Sequence, residues 1–415
     1  MQEHASYAVG IDIGTTTVKT VIGHIDPTSG VPTIVGVGSA PSSGMRKGVV
    51  VNLNGPAQAI DDALGESERM SGYQVHAAAV NINGSHILST RADGMIAVGA
   101  LDHEINRDDI LRVEDVATVG KVPANREILE VVPHAYRLDG QDNIKDPLGM
   151  TGTRLEVDAH VVSALTPHVV NLQKATDVAK VAPNIIVVSG VAAARAVLTE
   201  AQRETGVALI DIGGATTNIA VYEEGDLQFS AVIPVGGVNI TNDLAIGLKT
   251  DPEIAEKVKL QHAVANLREA HGEVEIKHGN EKFSFATSDI DEIVEARLEE
   301  LFDVIQRELK RAGYAGKLPS GVVLTGGTAG LKGLTEYAKV ALGVAAHVGR
   351  PTGFGGVADG IESPAFATAV GLMLLDGETH NQTTSKKARG KQAGSSSGSN
   401  LVGSVISGFF KKFRA

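Results

Sequence analysis

Apolar residues along this chain gather into short unbroken runs, and three of those runs end alike. Residues 7 to 23 read YAVGIDIGTTTVKTVIG, residues 207 to 222 read VALIDIGGATTNIAVY, and residues 322 to 334 read VVLTGGTAGLKGL. In each, an aliphatic stretch of the kind that forms a strand buried on both faces gives way to a glycine-rich turn. Further strand-like runs lie at 75 to 82, 127 to 132 and 154 to 162. The helical period is clear in INRDDILRVEDVA from Ile105. It is clearer still where Ile290, Ile293, Val294, Leu298, Leu301, Phe302, Ile305 and Leu309 recur at spacings of three and four, with Ser288 and Asp291 placed to form a capping box. Another helix is expected to begin near TDP at 250 to 252. From 377 to 400 apolar residues almost vanish, which predicts a flexible linker. A core built from such aliphatic runs suits an α/β protein.

Composition narrows the picture. The 415 residues are ample for several cores, 43% of them are hydrophobic, and with 4% aromatics and no tryptophan those cores must be mostly aliphatic. Without cysteine there is no disulfide framework, no thiolate nucleophile and no Cys-based zinc site, which suits a reducing compartment. The opening MQEHASYAVG lacks the features of a signal peptide, and no run reaches the length of a membrane span. The net charge of -12 conceals a division: residues 381 to 415 hold seven of the 37 basic residues and no acid, leaving 30 basic against 49 acidic residues in the body. An acidic body is a poor ligand for nucleic acid, so none is expected as a partner. The basic tail suits an anionic surface.

The paired motifs carry the candidate chemistry. A strand that ends in Asp and a Gly/Thr turn offers phosphate oxygens backbone N–H groups and hydroxyls, here at Gly14, Thr15, Thr16, Thr17 and Lys19 and again at Gly213, Gly214, Ala215 and Thr216. Aspartate itself repels phosphate, so Asp12 and Asp211 make chemical sense facing each other across a Mg²⁺ ion and its waters. Two turns from two lobes would then clasp one phosphate chain. Either copy alone is equally well read as a strand leaving a sheet. No GxxxxGK[ST] sequence occurs, which excludes a Walker-type site. Gly236 and Gly237, in PVGGVNIT, form a further turn at the expected cleft edge, and Gly326, Gly327 and Thr328 form one that lets a ligand approach backbone. Glu256 and Lys259 share a helical face, as ligand contacts or as a solvated ion pair.

The three glycine turns, in this order and spacing, resemble the phosphate 1, phosphate 2 and adenosine motifs of the actin, sugar-kinase and heat-shock ATPase superfamily. Within it the chain resembles the bacterial cell-division FtsA family along essentially its whole length, on IIVVSGVAAARAVLTEAQRETGVALIDIGGATTNIAVY, on PVGGVNITNDLAIGLKTDPEIAEKVK and on the final NLVGSVISGFFKKFRA. The resemblance implies an actin-like (ribonuclease-H-like) two-lobed ATPase fold with inserted subdomains. Subdomain 1A would span 1–83 with 161–190 and 365–378, 1C 84–160, 2A 191–243 with 317–364, and 2B 244–316, followed by a linker at 379–399 and a membrane-targeting helix at 400–415. It implies ATP and Mg²⁺ as ligands, with Glu256 and Lys259 on the ribose. It also implies filament formation at the cytoplasmic side of the cell membrane, at the division site, and tethering of the tubulin-like protein FtsZ through 244–316. The 84–160 insertion would meet neighbouring subunits or later division proteins.

At 100° per residue, Leu401, Val402, Val405, Ile406, Phe409, Phe410 and Phe413 fall on one half of the terminal helix, with Lys411 and Arg414 opposite and Lys412 at the boundary. Such a helix can lie in a membrane interface, or dock on its own body or a partner. Two residues depart from the family pattern. Ala215 stands where a third glycine is common, harmless unless that position needs a positive φ. Asn218 stands where an acid is common, and an amide cannot take a proton from water, so slow or negligible hydrolysis with binding retained is expected. The 13 histidines form no HExxH, and no metal site beyond Mg²⁺ is expected. A small-molecule kinase of the same fold and a PilM-like pilus-assembly scaffold are the competing readings. Arg297, Arg307 and Lys310 are either contacts for an extended peptide or solvated helix charges.

Overall fold

A computed structural model describes residues 6–26, 28–99, 103–266, 268–356 and 360–390, with side chains as far as His380. The expected terminal helix, Leu401 to Arg414, lies outside the described residues.

The chain opens with β1 (Ser6–Ile13), β2 (Thr17–Ile25) and β3 (Pro32–Pro41), a short hairpin of β4 (Met45–Arg46) and β5 (Val49–Val50), then α1 (Asn54–Ser71) and β6 (Ala77–Ile82). An insertion follows: β7 (Leu88–Ala97), α2 (Arg107–Thr118), β8 (Arg126–Leu138), β9 (Gln141–Ile144) and β10 (Arg154–Leu165). The chain returns through α3 (Thr166–Val178), β11 (Ala182–Val188) and α4 (Ser189–Val197). The first lobe's sheet has the order β11-β6-β1-β2-β3, with β1, β2 and β3 antiparallel and β6 and β11 parallel to β1. The insertion makes its own sheet, β7-β10-β8-β9, against α2.

The second lobe repeats the plan. After α5 (Glu200–Thr205) come β12 (Val207–Ile212), β13 (Thr217–Glu223) and β14 (Asp226–Ile233), then α6 (Gly237–Gly247), α7 (Pro252–His262), the hairpin β15 (Glu273–His278) and β16 (Glu281–Ala286), and α8 (Thr287–Arg311). β17 (Val322–Thr325), a 3₁₀ turn over Gly327–Gly330, α9 (Leu334–Leu342), β18 (Ala346–Val348) and α10 (Ala367–Gly390) are the last elements among the described residues. The sheet order is β14-β13-β12-β17-β18, the first lobe's order again: an antiparallel meander extended on one side by parallel strands.

The aliphatic runs explain the cores. All six residues of β12 are buried, as are Ile290, Val294, Leu298, Leu301, Phe302, Ile305 and Leu309 of α8, whereas Ile293, expected on the same face, is half-buried. Each such side chain contributes about 1.5–3 kcal/mol on burial. α10 returns to the first lobe and crosses α4 so closely that a Cβ on Gly371 would run into the Ala192 backbone. Asp376 of α10 accepts a hydrogen bond from the Val9 amide at 2.8 Å and from Asn184 at 2.9 Å, and Glu378 accepts from Arg195 Nε at 2.8 Å.

Two expectations fail. The capping box at Ser288 is absent: α8 begins after Ala286 without a side-chain cap, and Asp291 is buried and paired with Arg268. A buried carboxylate gains more from a guanidinium than from a frayed helix end. A capping box does form at Asn106 and Asp109 of α2. The linker expected from 379 is helical as far as Gly390. Between Glu378 and Arg389 there is no Gly or Pro, and a helix already nucleated by buried turns extends through polar residues at little cost.

Candidate functional site

The two lobes meet at a cleft of about 1080 Å³, into which the carboxyl ends of β1, β12 and β17 all open. Both β hairpins are built alike. β1 pairs with β2 so that Asp12 lies opposite Lys19, and β12 pairs with β13 so that Asp211 lies opposite Asn218, seven residues on in each case. The turns between them are Gly14–Thr15–Thr16 and Gly213–Gly214–Ala215–Thr216, and all of these residues line the cleft.

Each aspartate is held by an amide. Asn81, at the end of β6, donates through Nδ2 to Asp12 Oδ1 at 2.7 Å and to Ser189 Oγ at 3.0 Å, while its Oδ1 accepts from the Ile13 amide at 2.6 Å. Asn218 donates through Nδ2 to Asp211 Oδ2 at 2.9 Å. One oxygen of each carboxylate is thereby fixed, and the other is left for the cleft. Burial raises the Asp12 carboxyl above the usual range, against the opposing effects of Lys19 and Asn81. Asp211 is pushed up to about 7, first by burial and then by the charge of Asp12. Two buried carboxylates, the charge of one raising the other and that of Lys19 lowering both, fit a divalent ion. Among the described residues no group of three or more His, Cys, Asp or Glu could hold a metal, so the protein alone does not complete a shell. That fits Mg²⁺, which keeps waters and takes one or two carboxylates beside phosphate oxygens.

The glycines are set by close approach. A Cβ on Gly214 would lie 2.5 Å from Thr16 Oγ1, so the two loops touch across the cleft. Gly326 has φ +88°, and a Cβ there would lie 2.4 Å from Asp211 Oδ1. Gly236 and Gly237 follow β14 and pack on the second loop, with Gly237 N donating to Gly213 O at 3.0 Å and Val238 N to Gly214 O at 2.7 Å. Thr328 Oγ1 donates to Gly213 O at 3.1 Å, and Gly327 also lines the cleft. Ala215 is not among the residues with positive φ, so its methyl group imposes no backbone strain. Asn218 is 1% exposed, and its Oδ1 has no hydrogen-bond partner.

Glu256 and Lys259 stand on the cleft wall, on α7. Lys259 Nζ donates to Thr241 Oγ1 at 2.8 Å, to Glu256 Oε2 at 2.6 Å and to Gly237 O at 3.2 Å. Lys259 and Glu256 therefore form an ion pair at the cleft wall, with side chains 13% and 41% exposed. The residues expected at a phosphate and nucleoside site thus line one cavity, except Gly236, which packs against the backbone of the second loop instead; the terminal residues lie outside the described chain. The sequence reading missed Asn81, Asn83, Ser189 and Thr241. Asn81 was detectable as the one polar residue in AAAVNI; the others carry no local signal.

Arg297 is engaged by Asp243 and Glu300, while Arg307 Nε reaches only the carbonyl of Asp303, one turn back, at 3.4 Å. Between α6 and α8 runs a shallow groove of about 330 Å³ lined by Asp243, Ile246, Gly247, Ile293, Ala296, Arg297 and Glu300. Ile246 there is 77% exposed.

The family model for the cell division protein FtsA matches residues 208–371, and that for the SHS2 domain inserted in FtsA matches residues 84–163. The chain is 37% identical over 370 residues to the cell division protein FtsA of Pseudomonas aeruginosa, covering 88% of each. It is 37% identical over 369 residues to the Bacillus subtilis protein of that name, covering 88% of this chain and 82% of the other. Among solved structures, a PilM–PilN type IV pilus biogenesis complex superposes with a TM-score of 0.66 at 19% identity, over 89% of this chain and 98% of that one. MreB5 of Spiroplasma citri bound to ADP superposes with a TM-score of 0.52 at 12% identity, over 94% and 99%. At those identities the likeness is one of fold, and the fold is the actin-like one expected.

Proposed function

This chain belongs to the FtsA family of cell-division proteins, and from that premise we propose that it binds ATP with Mg²⁺ between its lobes, polymerises, and tethers FtsZ to the cytoplasmic side of the cell membrane at the division site. The observation that carries the nucleotide reading is the convergence of Asp12 and Asp211 on one cleft, each fixed by an asparagine and each beside a glycine turn. The bound ion would neutralise the two carboxylates and the phosphates together. Lys19 then serves the phosphate charge, Thr15, Thr16, Thr17 and Thr216 offer hydroxyls, and Glu256 and Lys259 offer polar contacts to the ribose. Asn218 orients Asp211 and, as an amide, takes no proton from water, so turnover is slow.

Support for the FtsZ role comes from family membership and from the α6–α8 groove, whose exposed Ile246 and flanking charges suit an extended peptide. The insertion would meet neighbouring subunits or later division proteins. No helix among the described residues is long and apolar enough to cross a membrane. Attachment is therefore assigned to the amphipathic segment with Leu401, Val402, Val405, Ile406, Phe409, Phe410 and Phe413 on one face and Lys411, Lys412 and Arg414 on or beside the other. Relatives at 37% identity favour this reading over a PilM-like scaffold, which is matched at 19%.

Calorimetry with ATP and Mg²⁺ tests the cleft: heat that disappears when both aspartates become alanine supports it, and no heat from the native chain ends it. Co-sedimentation with anionic liposomes of the whole chain beside one ending at Gly390 tests attachment. Equal pelleting of both would remove the membrane role.

A further inference from the structure

The inserted subdomain leaves and re-enters the first lobe beside the cleft, at Asn83–Gly84 and at Ser163–Thr166. Asn83 reaches across to the other lobe: its Nδ2 donates to Thr216 Oγ1, in the second phosphate loop, at 3.0 Å. Its own Oδ1 accepts from the Gly84 amide at 2.8 Å, and Gly84, at φ +126°, turns the chain into the insertion. The Asn83 carbonyl is bonded at 3.1 Å to Nε2 of His86, whose ring stacks on His168 with centroids 4.2 Å apart. Burial, and then His168, hold His86 down at about 4, so it is neutral and Nε2 must carry the proton it gives to Asn83.

Arg126, at the start of β8, closes the circuit. It donates to the His86 carbonyl, and through Nε and Nη2 to Ser163 Oγ at 3.0 Å and Ser163 O at 2.9 Å on β10. Both strands by which the chain enters and leaves the insertion are thus tied to Asn83. The far face of the insertion also rests on the second lobe. Ser230 N donates to Ser89 Oγ at 3.0 Å, His134 Nε2 is bonded to Leu227 O at 2.9 Å, and Lys145 bridges to Glu224 at 3.0 Å. The insertion belongs by sequence to one lobe and by its contacts to the other as well.

We propose that the Asn83–Thr216 hydrogen bond is a latch by which a phosphoryl ligand held in the second loop stiffens the root of the inserted subdomain. The Thr216 hydroxyl accepts from Asn83 and keeps its proton to donate. A phosphate oxygen that takes this proton polarises the hydroxyl and strengthens the bond it accepts, so the two bonds reinforce each other. The inference rests on the nucleotide reading above and adds to it a direction of influence, from cleft to insertion.

Hydrogen exchange of the full chain at saturating ATP and Mg²⁺ tests this, because saturation removes any change of affinity from the readout. Exchange at the start of β7 and the end of β10 should slow about fivefold or more on adding nucleotide, the lower end of ordinary coupling between sites. Asn83→Ala and Thr216→Val, which delete the same bond from opposite ends, should abolish the slowing in whichever variant melts cooperatively. Thr216→Ser should retain it. Slowing that survives in both deletions, or its absence in the native chain when calorimetry records binding, overturns the latch alone. No calorimetric binding at all would remove the nucleotide reading and the latch together.

Discussion

The hairpin of the first lobe and the hairpin of the second differ most at one register position. Opposite Asp12 stands Lys19, and opposite Asp211 stands Asn218. In the first lobe the amide that orients the aspartate comes from a different strand, as Asn81, and the facing position is left to a cation. In the second lobe the facing residue does the orienting itself and is uncharged. The repeated hairpin register presents two carboxylates alike, and the difference at the facing position gives them unequal surroundings. The first lobe is arranged to meet negative charge, the second to hold a carboxylate in place. Burial raises both carboxyls, and at Asp211, pushed up to about 7, the charge of Asp12 adds to it.

Removing both carboxylates should erase the comparison and have the largest effect. Asp12→Ala with Asp211→Ala is expected to weaken Mg²⁺-dependent ATP binding by more than the roughly 10–100-fold that follows loss of an outer-shell partner. Calorimetry reads this, and binding within threefold of the native value would contradict it.

Next come the facing residues. Lys19→Ala removes a charge-assisted contact, about 1.5–3 kcal/mol, from the phosphates. Its cost should appear in nucleotide affinity with little change in melting temperature. Asn218→Ala strips the donor from a buried carboxylate oxygen and should show mainly as a loss of stability of about 1–3 kcal/mol in denaturant melts. If the two variants gave the same pattern, the division of labour between the hairpins would be refuted.

A proton offers a gentler probe. Because Asp211 has its folded-state value above the unfolded one, ionising it in the fold is unfavourable. The free protein should therefore lose stability as pH rises from about 4 towards 7 and level off above that. Metal-dependent nucleotide binding should run the other way, weakening as pH falls below about 7 and the proton competes with the ion. Asp211→Asn should flatten the stability profile in that window, and titration calorimetry with melts at several pH values checks both slopes. A backbone position beside the second carboxylate gives a further test. Gly326→Ala, at φ +88° with Asp211 Oδ1 in the way, should cost about 1–3 kcal/mol by thermal melting.

How far the sequence was legible depended on how local each signal was. The strands and turns at Asp12 and Asp211 could be read directly, because an aliphatic run that breaks into glycine and threonine states both burial and exit within ten residues. The face of α8 was legible for the same reason, through its 3.6-residue period. Asn81 showed only as a lone polar residue in an apolar run and Asn83 not at all, since their partners stand 69 and 133 positions away and only folding brings them together. Asp291 shows the opposite error: a capping signal that was locally correct was overridden by Arg268, 23 positions earlier. Polarity was likewise read as flexibility after Gly377, where a helix rooted in the core simply continues.

That helix has a mechanical corollary. α10 is fastened to β1 through Asp376 and the Val9 amide, and to α4 through Glu378 and Arg195. Any pull on the end of the chain is delivered through this stem to the strand that carries Asp12. Force from whatever the chain end holds would therefore be felt at the first lobe's half of the cleft before it reached the second.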